Sequence, residues 1–95
     1  MPLNSQQIRK LRALAHHLKP VIMVGDKGIT ENLLKELDRA LETHELLKVT
    51  IAGADKAGRL EMTQALCEAS QAEVVQTIGR ISILYRKSKE PKIRV

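Results

Sequence analysis

Two glycines three positions apart with a lysine between them, Gly25-Asp26-Lys27-Gly28, form the pattern in this sequence best suited to holding a polyanion. Glycine takes positive φ freely and, lacking a Cβ, lets another backbone come close. The apolar run Val21-Ile22-Met23-Val24 precedes the four residues and a helix-like segment opening at Thr30 follows, so they fall on a strand-to-helix loop. A helix start just downstream offers unpaired N–H groups and partial positive charge, and Lys27 adds a full charge, which together suit a phosphate. Asp26 opposes that contact, because its carboxylate repels phosphate unless it turns outward or caps the adjoining turn.

The other candidate constellations argue against catalysis. Gly53-Ala54-Asp55-Lys56-Ala57-Gly58-Arg59-Leu60 has the glycine spacing of a nucleotide-hydrolysing phosphate loop, with a strand before it and a helix after it. Such a loop needs Lys for the β- and γ-phosphates and Ser or Thr for magnesium, whereas Arg59 and Leu60 stand there and Leu60 cannot ligate a metal. The segment therefore reads as a strand-to-helix turn capped by Asp55. His16 and His17, adjacent on a helix, are expected to diverge by about 100° and not to share a metal; His44 is expected at a helix carboxyl end. Cys67 lies on an inward-facing stripe with no partner at ligand spacing and reads as a structural thiol. The expectation is a binding module with no catalytic residue, no metal and no cofactor.

Composition points to the class of partner. A chain of 95 residues, 43% hydrophobic and 28% charged, is expected to form one domain. No apolar run has the length of a bilayer span, so no membrane is expected, and Met1 to Gln6 lacks the features of a secretion signal. A single cysteine fits a reducing compartment, and the cytoplasm is the expected location. The net charge of +5 favours a polyanion, since clustered Lys and Arg release counterions condensed on nucleic acid. From Arg80 to Val95 six cations (Arg80, Arg86, Lys87, Lys89, Lys92, Arg94) face one acid, Glu90, whereas Glu31 to Glu45 carries more acid than base. Tyr85 is the sole aromatic residue, so no platform for stacking bases can be built. An RNA partner would be held through phosphate, sugar and shape, with weak sequence preference.

These residues must be positioned by an α-β-α-β-α-β-β string. Asn4 or Ser5 can cap a first helix running to about Leu18, with Ile8, Leu11, Leu14, Ala15 and Leu18 inward and Arg9, Arg12 and His16 forming a basic stripe on another side. Pro20 ends it. Val21 to Val24, apolar without alternation, predicts a short central strand buried on both faces. Thr30 caps a second helix, Leu47 to Ile51 alternate as a second strand, and Asp55 caps a third helix reaching about Ala69 with Leu60, Thr63, Leu66 and Cys67 inward. Val74 to Ile78 and Ile81 to Tyr85 flank Gly79-Arg80 as a tight hairpin. The fold class is α/β, a four-stranded mixed sheet packed with three helices. A single domain over 1–88 and a basic tail over 89–95 are expected.

With these segments in view the chain resembles the CRM domain, named for chloroplast RNA splicing and ribosome maturation, and within it the stand-alone bacterial YhbY-type proteins. The likeness rests on Leu11-Arg12-Ala13-Leu14-Ala15-His16 and Leu18-Lys19-Pro20-Val21, on Val24-Gly25-Asp26-Lys27-Gly28-Ile29-Thr30-Glu31, on Glu45-Leu46-Leu47-Lys48-Val49, and on Val75-Gln76-Thr77-Ile78-Gly79-Arg80 followed by Ile83-Leu84-Tyr85-Arg86. The resemblance implies a fold similar to the carboxyl-terminal domain of bacterial translation initiation factor 3, with a KH-like GxxG loop that contacts RNA. It implies the loop role for Gly25, Asp26, Lys27 and Gly28. It also implies association with the precursor of the large ribosomal subunit, and the expectation drawn from all of this is a monomeric, non-enzymatic factor that binds its rRNA. Arg9, Arg12, Lys19, Arg80, Arg86 and Lys87 are expected to widen the electrostatic footprint. The alternative is a protein-docking module, on a ribosomal protein or assembly factor, whose basic surface is incidental.

Overall fold

Three polar side chains start the three helices. Asn4 Oδ1 accepts from the Gln7 N–H at 2.8 Å while Gln7 Oε1 accepts from the Asn4 N–H at 3.0 Å, a reciprocal capping box. Thr30 Oγ1 accepts from the Leu33 N–H at 3.1 Å and Asp55 Oδ1 from the Gly58 N–H at 2.8 Å. The computed structural model describes residues 3–95, so residues 1 and 2 of the expected domain lie outside the described residues. Its elements are α1 (Ser5–Ala15), β1 (Ile22–Val24), α2 (Glu31–His44), β2 (Leu46–Ile51), α3 (Lys56–Ser70), β3 (Glu73–Ile78) and β4 (Ile81–Tyr85). The order is the one the sequence pattern predicts.

The strands form one sheet in the order β1-β2-β4-β3, with β1 parallel to β2 and the other two pairs antiparallel. Because side chains alternate across a strand, β2 and β4 serve two cores. Leu47, Val49, Ile51 and Leu84 join Leu37 and Leu41 of α2 and Leu66 of α3 on one face. Leu46, Val75, Ile83 and Tyr85 join Leu11 and Ala15 of α1 on the other. Leu11 is fully buried, and truncating it to Ala is expected to cost about 2–5 kcal/mol.

Several expectations change here. β1 is an edge strand of three residues with a buried-exposed-buried pattern, not a central one, and Met23 is 65% exposed. Among the described residues β2 is the only strand beside β1; α2 packs on β1, whereas α1 packs mainly on β2, β3 and β4. α1 ends at Ala15 rather than Leu18; the residue before Pro20 is sterically pushed away from helix, and the turn before it has already unwound. Leu14 and Leu18, expected inward, are exposed, as is Leu60, so the buried stripes are narrower than the apolar ones. The rings of His16 and His17 do not diverge but meet edge to face, with centroids 5.3 Å apart, since both lie beyond the last regular turn of the helix.

The carboxyl-terminal residues are held against the fold. Glu45, fully buried with φ of +64°, follows α2 and turns its carboxylate inward. That carboxylate accepts from the N–H groups of Lys92, Ile93 (3.0 Å) and Ser88 (3.2 Å), and Glu42 Oε2 accepts from the Lys89 N–H at 2.9 Å. Burial pushes the Glu45 carboxyl up, but the three backbone donors and the Lys92 charge outweigh it and leave the group below its ordinary value.

Candidate nucleic-acid interface

One end of the sheet collects three turns, because β1 and β2 run parallel and the β3–β4 hairpin closes beside them. The Ala52 N–H donates to the Val24 carbonyl at 3.0 Å, tying the carboxyl ends of β1 and β2 together. The Ile51 N–H donates to the Arg80 carbonyl at 2.7 Å, which brings the hairpin turn to the same end. Four strands with spacings of about 4.8 Å make this end about 14 Å wide. Along it lie the 25–28 loop, the 53–55 loop and the Gly79-Arg80 turn.

The first loop closes on itself through the Gly28 N–H, which donates to the Gly25 carbonyl at 2.9 Å. Gly28 has φ of +69°, a conformation that disfavours any other residue. Gly25 differs: its φ lies outside the left-handed region, and a Cβ built on it would meet nothing within 4 Å. Nothing among the described residues requires glycine at 25. The N–H groups of Asp26 and Lys27 have no partner among the described residues, and both side chains are exposed. Asp26 turns sideways, its Oδ1 3.4 Å from where a Cβ on Gly53 would stand. The helix start contributes less than its position suggests, since Thr30 already takes the Leu33 N–H and Glu31 sits in the first turn.

The remaining candidate cations separate into two groups. Arg80 is exposed on the hairpin turn. Arg9, Arg12, His16 and His17 line an open groove between α1 and β3, floored by Gln76 and Ile78, with no acid among its described lining residues. Lys19 is exposed on the connection to β1. Arg86 is elsewhere and occupied. Its guanidinium pairs with Asp38 at 2.6 Å and Glu42 at 3.5 Å and donates to the carbonyls of Ser70 and Asp38, each at 3.0 Å. It clasps α2 to the end of α3, and Lys87 beside it lines a groove with Glu73, Tyr85 and Ile93, away from the three turns. The segment after β4 thus folds back onto α2, where Arg86 is neutralised by Asp38 and Glu42 and the Lys89 and Lys92 backbone N–H groups donate to Glu42 and Glu45. Lys56 and Arg59, of the segment that lacks the groups of a hydrolysing phosphate loop, come to the same end of the sheet as Arg80: Arg59 Nη1 donates to the Ala54 carbonyl at 2.8 Å and Nε to the Gly79 carbonyl at 3.2 Å.

Tyr85 is buried and Cys67 half-buried. Burial, with Glu73 and Glu68 nearby, pushes the Cys67 thiol up to about 11. Among the described residues no group of His, Cys, Asp and Glu has the arrangement of a metal site, and no helix is long and apolar enough to cross a membrane.

Fold and surface together define a small α/β domain that presents glycine turns and cations at one end of a mixed sheet. The chain belongs to the CRS1/YhbY (CRM) domain family, whose model matches residues 3–86. A Haemophilus influenzae protein named "RNA-binding protein" is 46% identical over 93 residues, covering 98% of this chain and 94% of that one. YqeI of Bacillus subtilis, named "probable RNA-binding protein", is 40% identical over 90 residues, covering 95% of this chain and 94% of its own. The solution structure of SAV1595 from Staphylococcus aureus superposes with a TM-score of 0.84 at 41% identity, covering 96% of this chain and 95% of that one.

Proposed function

We propose that this protein is a non-enzymatic RNA-binding factor, acting as a cytoplasmic monomer on rRNA of the large ribosomal subunit precursor. The observation that carries this reading is the 25–28 loop, which combines N–H groups at Asp26 and Lys27 without a partner among the described residues, the exposed Lys27 side chain and open space beside Gly25. Such a surface suits a phosphodiester backbone better than a base, because donors and cations are present and a stacking ring is not. The names of the relatives support an RNA partner. Lys27 is the charged contact, Gly25 admits the backbone, Asp26 stands aside against Gly53, and Arg9, Arg12, Lys19 and Arg80 extend the footprint.

The protein-docking alternative is favoured by a different observation. Met23 pairs with Thr50, Thr50 with Ile81 and Ile81 with Ile78, a row across all four strands on the α1 face, and Met23 and Ile78 remain exposed at its two ends. Sedimentation of cell lysates through sucrose gradients at low and high salt separates the readings. The RNA reading predicts wild-type protein on large-subunit precursors at low salt, release at high salt, and weaker association of Lys27→Glu. Equal association of both proteins with mature subunits, or none with any particle, refutes the assembly role.

A further inference from the structure

The segment from Gly53 to Leu60 lacks the groups of a hydrolysing phosphate loop, yet its two cations meet a third across the end of the sheet. Lys56, Arg59 and Thr63 of α3 and Thr77, Arg80 and Ser82 of the hairpin enclose a hollow of about 350 Å³. Arg59 is fixed in it by the bonds to Ala54 and Gly79 already described, which occupy two of its five N–H donors and leave three in a set plane. The floor is an ordered hydroxyl chain. Thr63 Oγ1 donates to the Arg59 carbonyl at 2.9 Å, so the 2.7 Å contact between the Ser82 and Thr63 hydroxyls has Ser82 as its donor. No carboxylate lines the hollow among the described residues. The nearest acid of the motif, Asp55, is committed to the Gly58 N–H at 2.8 Å. Three cations collected around one cavity without an internal counter-charge repel one another, and the arrangement is relieved by an anion.

We propose that this hollow is a phosphate pocket that receives one phosphate of an RNA strand, with Arg59 giving a planar fork and Lys56 and Arg80 closing over it as flexible point charges. The pocket rests on the RNA reading for its ligand but lies apart from the 25–28 loop, with the 53–55 turn between them. Its room beyond a bare phosphate is filled by the attached ribose, whose hydroxyls face Thr77. The phosphate is either an internal phosphodiester or a terminal phosphomonoester, and both would engage the same donors.

Nuclear magnetic resonance separates these cases through the Arg59 Nε–H and the Thr77, Gly79 and Arg80 amide signals. Three probes are titrated: a short single-stranded oligoribonucleotide without terminal phosphates, the same strand with a 5′-phosphate, and inorganic phosphate. Shifts with the first probe assign the pocket to internal phosphodiesters, and shifts with only the second and third assign it to a strand end. In parallel, Lys56→Gln combined with Arg80→Gln, both at exposed positions, is expected to bind the responsive strand about tenfold more weakly and to flatten the slope of log affinity against log salt by about 0.7. Arg59→Lys keeps the charge but loses the fork, so it should abolish the pocket shifts while leaving those of the 25–28 loop. If none of the probes moves the Arg59 signal, or the double variant matches wild type in affinity and slope, the pocket is refuted. Loss of binding in Lys27→Glu alongside an unaffected double variant refutes the pocket and leaves the RNA reading standing. Pocket shifts with inorganic phosphate in a protein that binds neither strand do the reverse.

Discussion

Gly25 and Gly28 are both glycines of one loop, but the structure gives them opposite responses to alanine. At Gly25 the φ angle is ordinary and the Cβ would enter open space, so Gly25→Ala restricts the unfolded chain without straining the folded one. The expected change is a gain of about 0.4–1 kcal/mol. At Gly28, φ of +69° puts a Cβ in the left-handed region, at a cost of about 1–2 kcal/mol, and the same unfolded-state gain offsets part of it. The net loss is about 1 kcal/mol, a fall in Tm of roughly 4–8 °C for a domain of this size. Binding should move the other way for Gly25→Ala, because the added methyl occupies the approach of the proposed phosphate backbone. Thermal melts and fluorescence titrations of labelled rRNA fragments on both variants give the two axes. A Gly25→Ala protein at least as stable as wild type but binding RNA about tenfold more weakly fits the account. The same stable protein binding as wild type would refute the claim that Gly25 is open for a ligand.

Arg86→Ala should lower stability by about 2 kcal/mol in urea unfolding, since it removes the ion pairs to Asp38 and Glu42 and leaves two carbonyls without their donor, while RNA affinity of the folded fraction stays unchanged. Glu45 makes attachment of the carboxyl-terminal residues acid-sensitive. Its carboxyl titrates lower in the folded chain than in the unfolded one, so its contribution is complete above pH of about 4.5 and is lost as pH falls through the lower folded value. Protection of the Lys92 and Ile93 amides from exchange, relative to an unfolded chain at the same pH, should fall over that acid range in wild type, and should be low at every pH in Glu45→Gln. Cys67, with its thiol raised to about 11 from 9.0, should alkylate at pH 8 about a hundredfold more slowly in the folded protein than in urea.

What the sequence made legible was local. Asn4, Thr30 and Asp55 cap helices through atoms three residues away, and the Gly79-Arg80 hairpin follows from two β-branched runs and the turn between them. What it hid depended on partners far along the chain. Nothing near Val21 to Val24 reveals that β2 is the only strand beside β1 among the described residues and that α2 alone packs closely on it, so its apolar run looked like a strand buried on both sides. Arg86 looked like one more cation of a basic segment because Asp38 lies 48 positions away. Lys56 and Arg59 were visible as a motif, but their juxtaposition with Arg80 requires the hairpin to close over α3, through a bond spanning 20 positions. The 25–28 loop was legible as a loop. That Gly28 holds a positive φ whereas Gly25 has an ordinary φ and open space where a Cβ would stand is a distinction that only the backbone geometry supplies.

The central claim, that the sheet end carrying Lys27 grips RNA through its phosphates, is tested most directly by the salt dependence of binding to naked rRNA fragments. Three to six phosphate contacts predict a slope of log affinity against log salt of roughly −2 to −5, and Lys27→Glu should bind more weakly with a slope shallower by about 0.7. An affinity that does not change between low and physiological salt, or a Lys27→Glu variant with the wild-type slope and affinity, would contradict it.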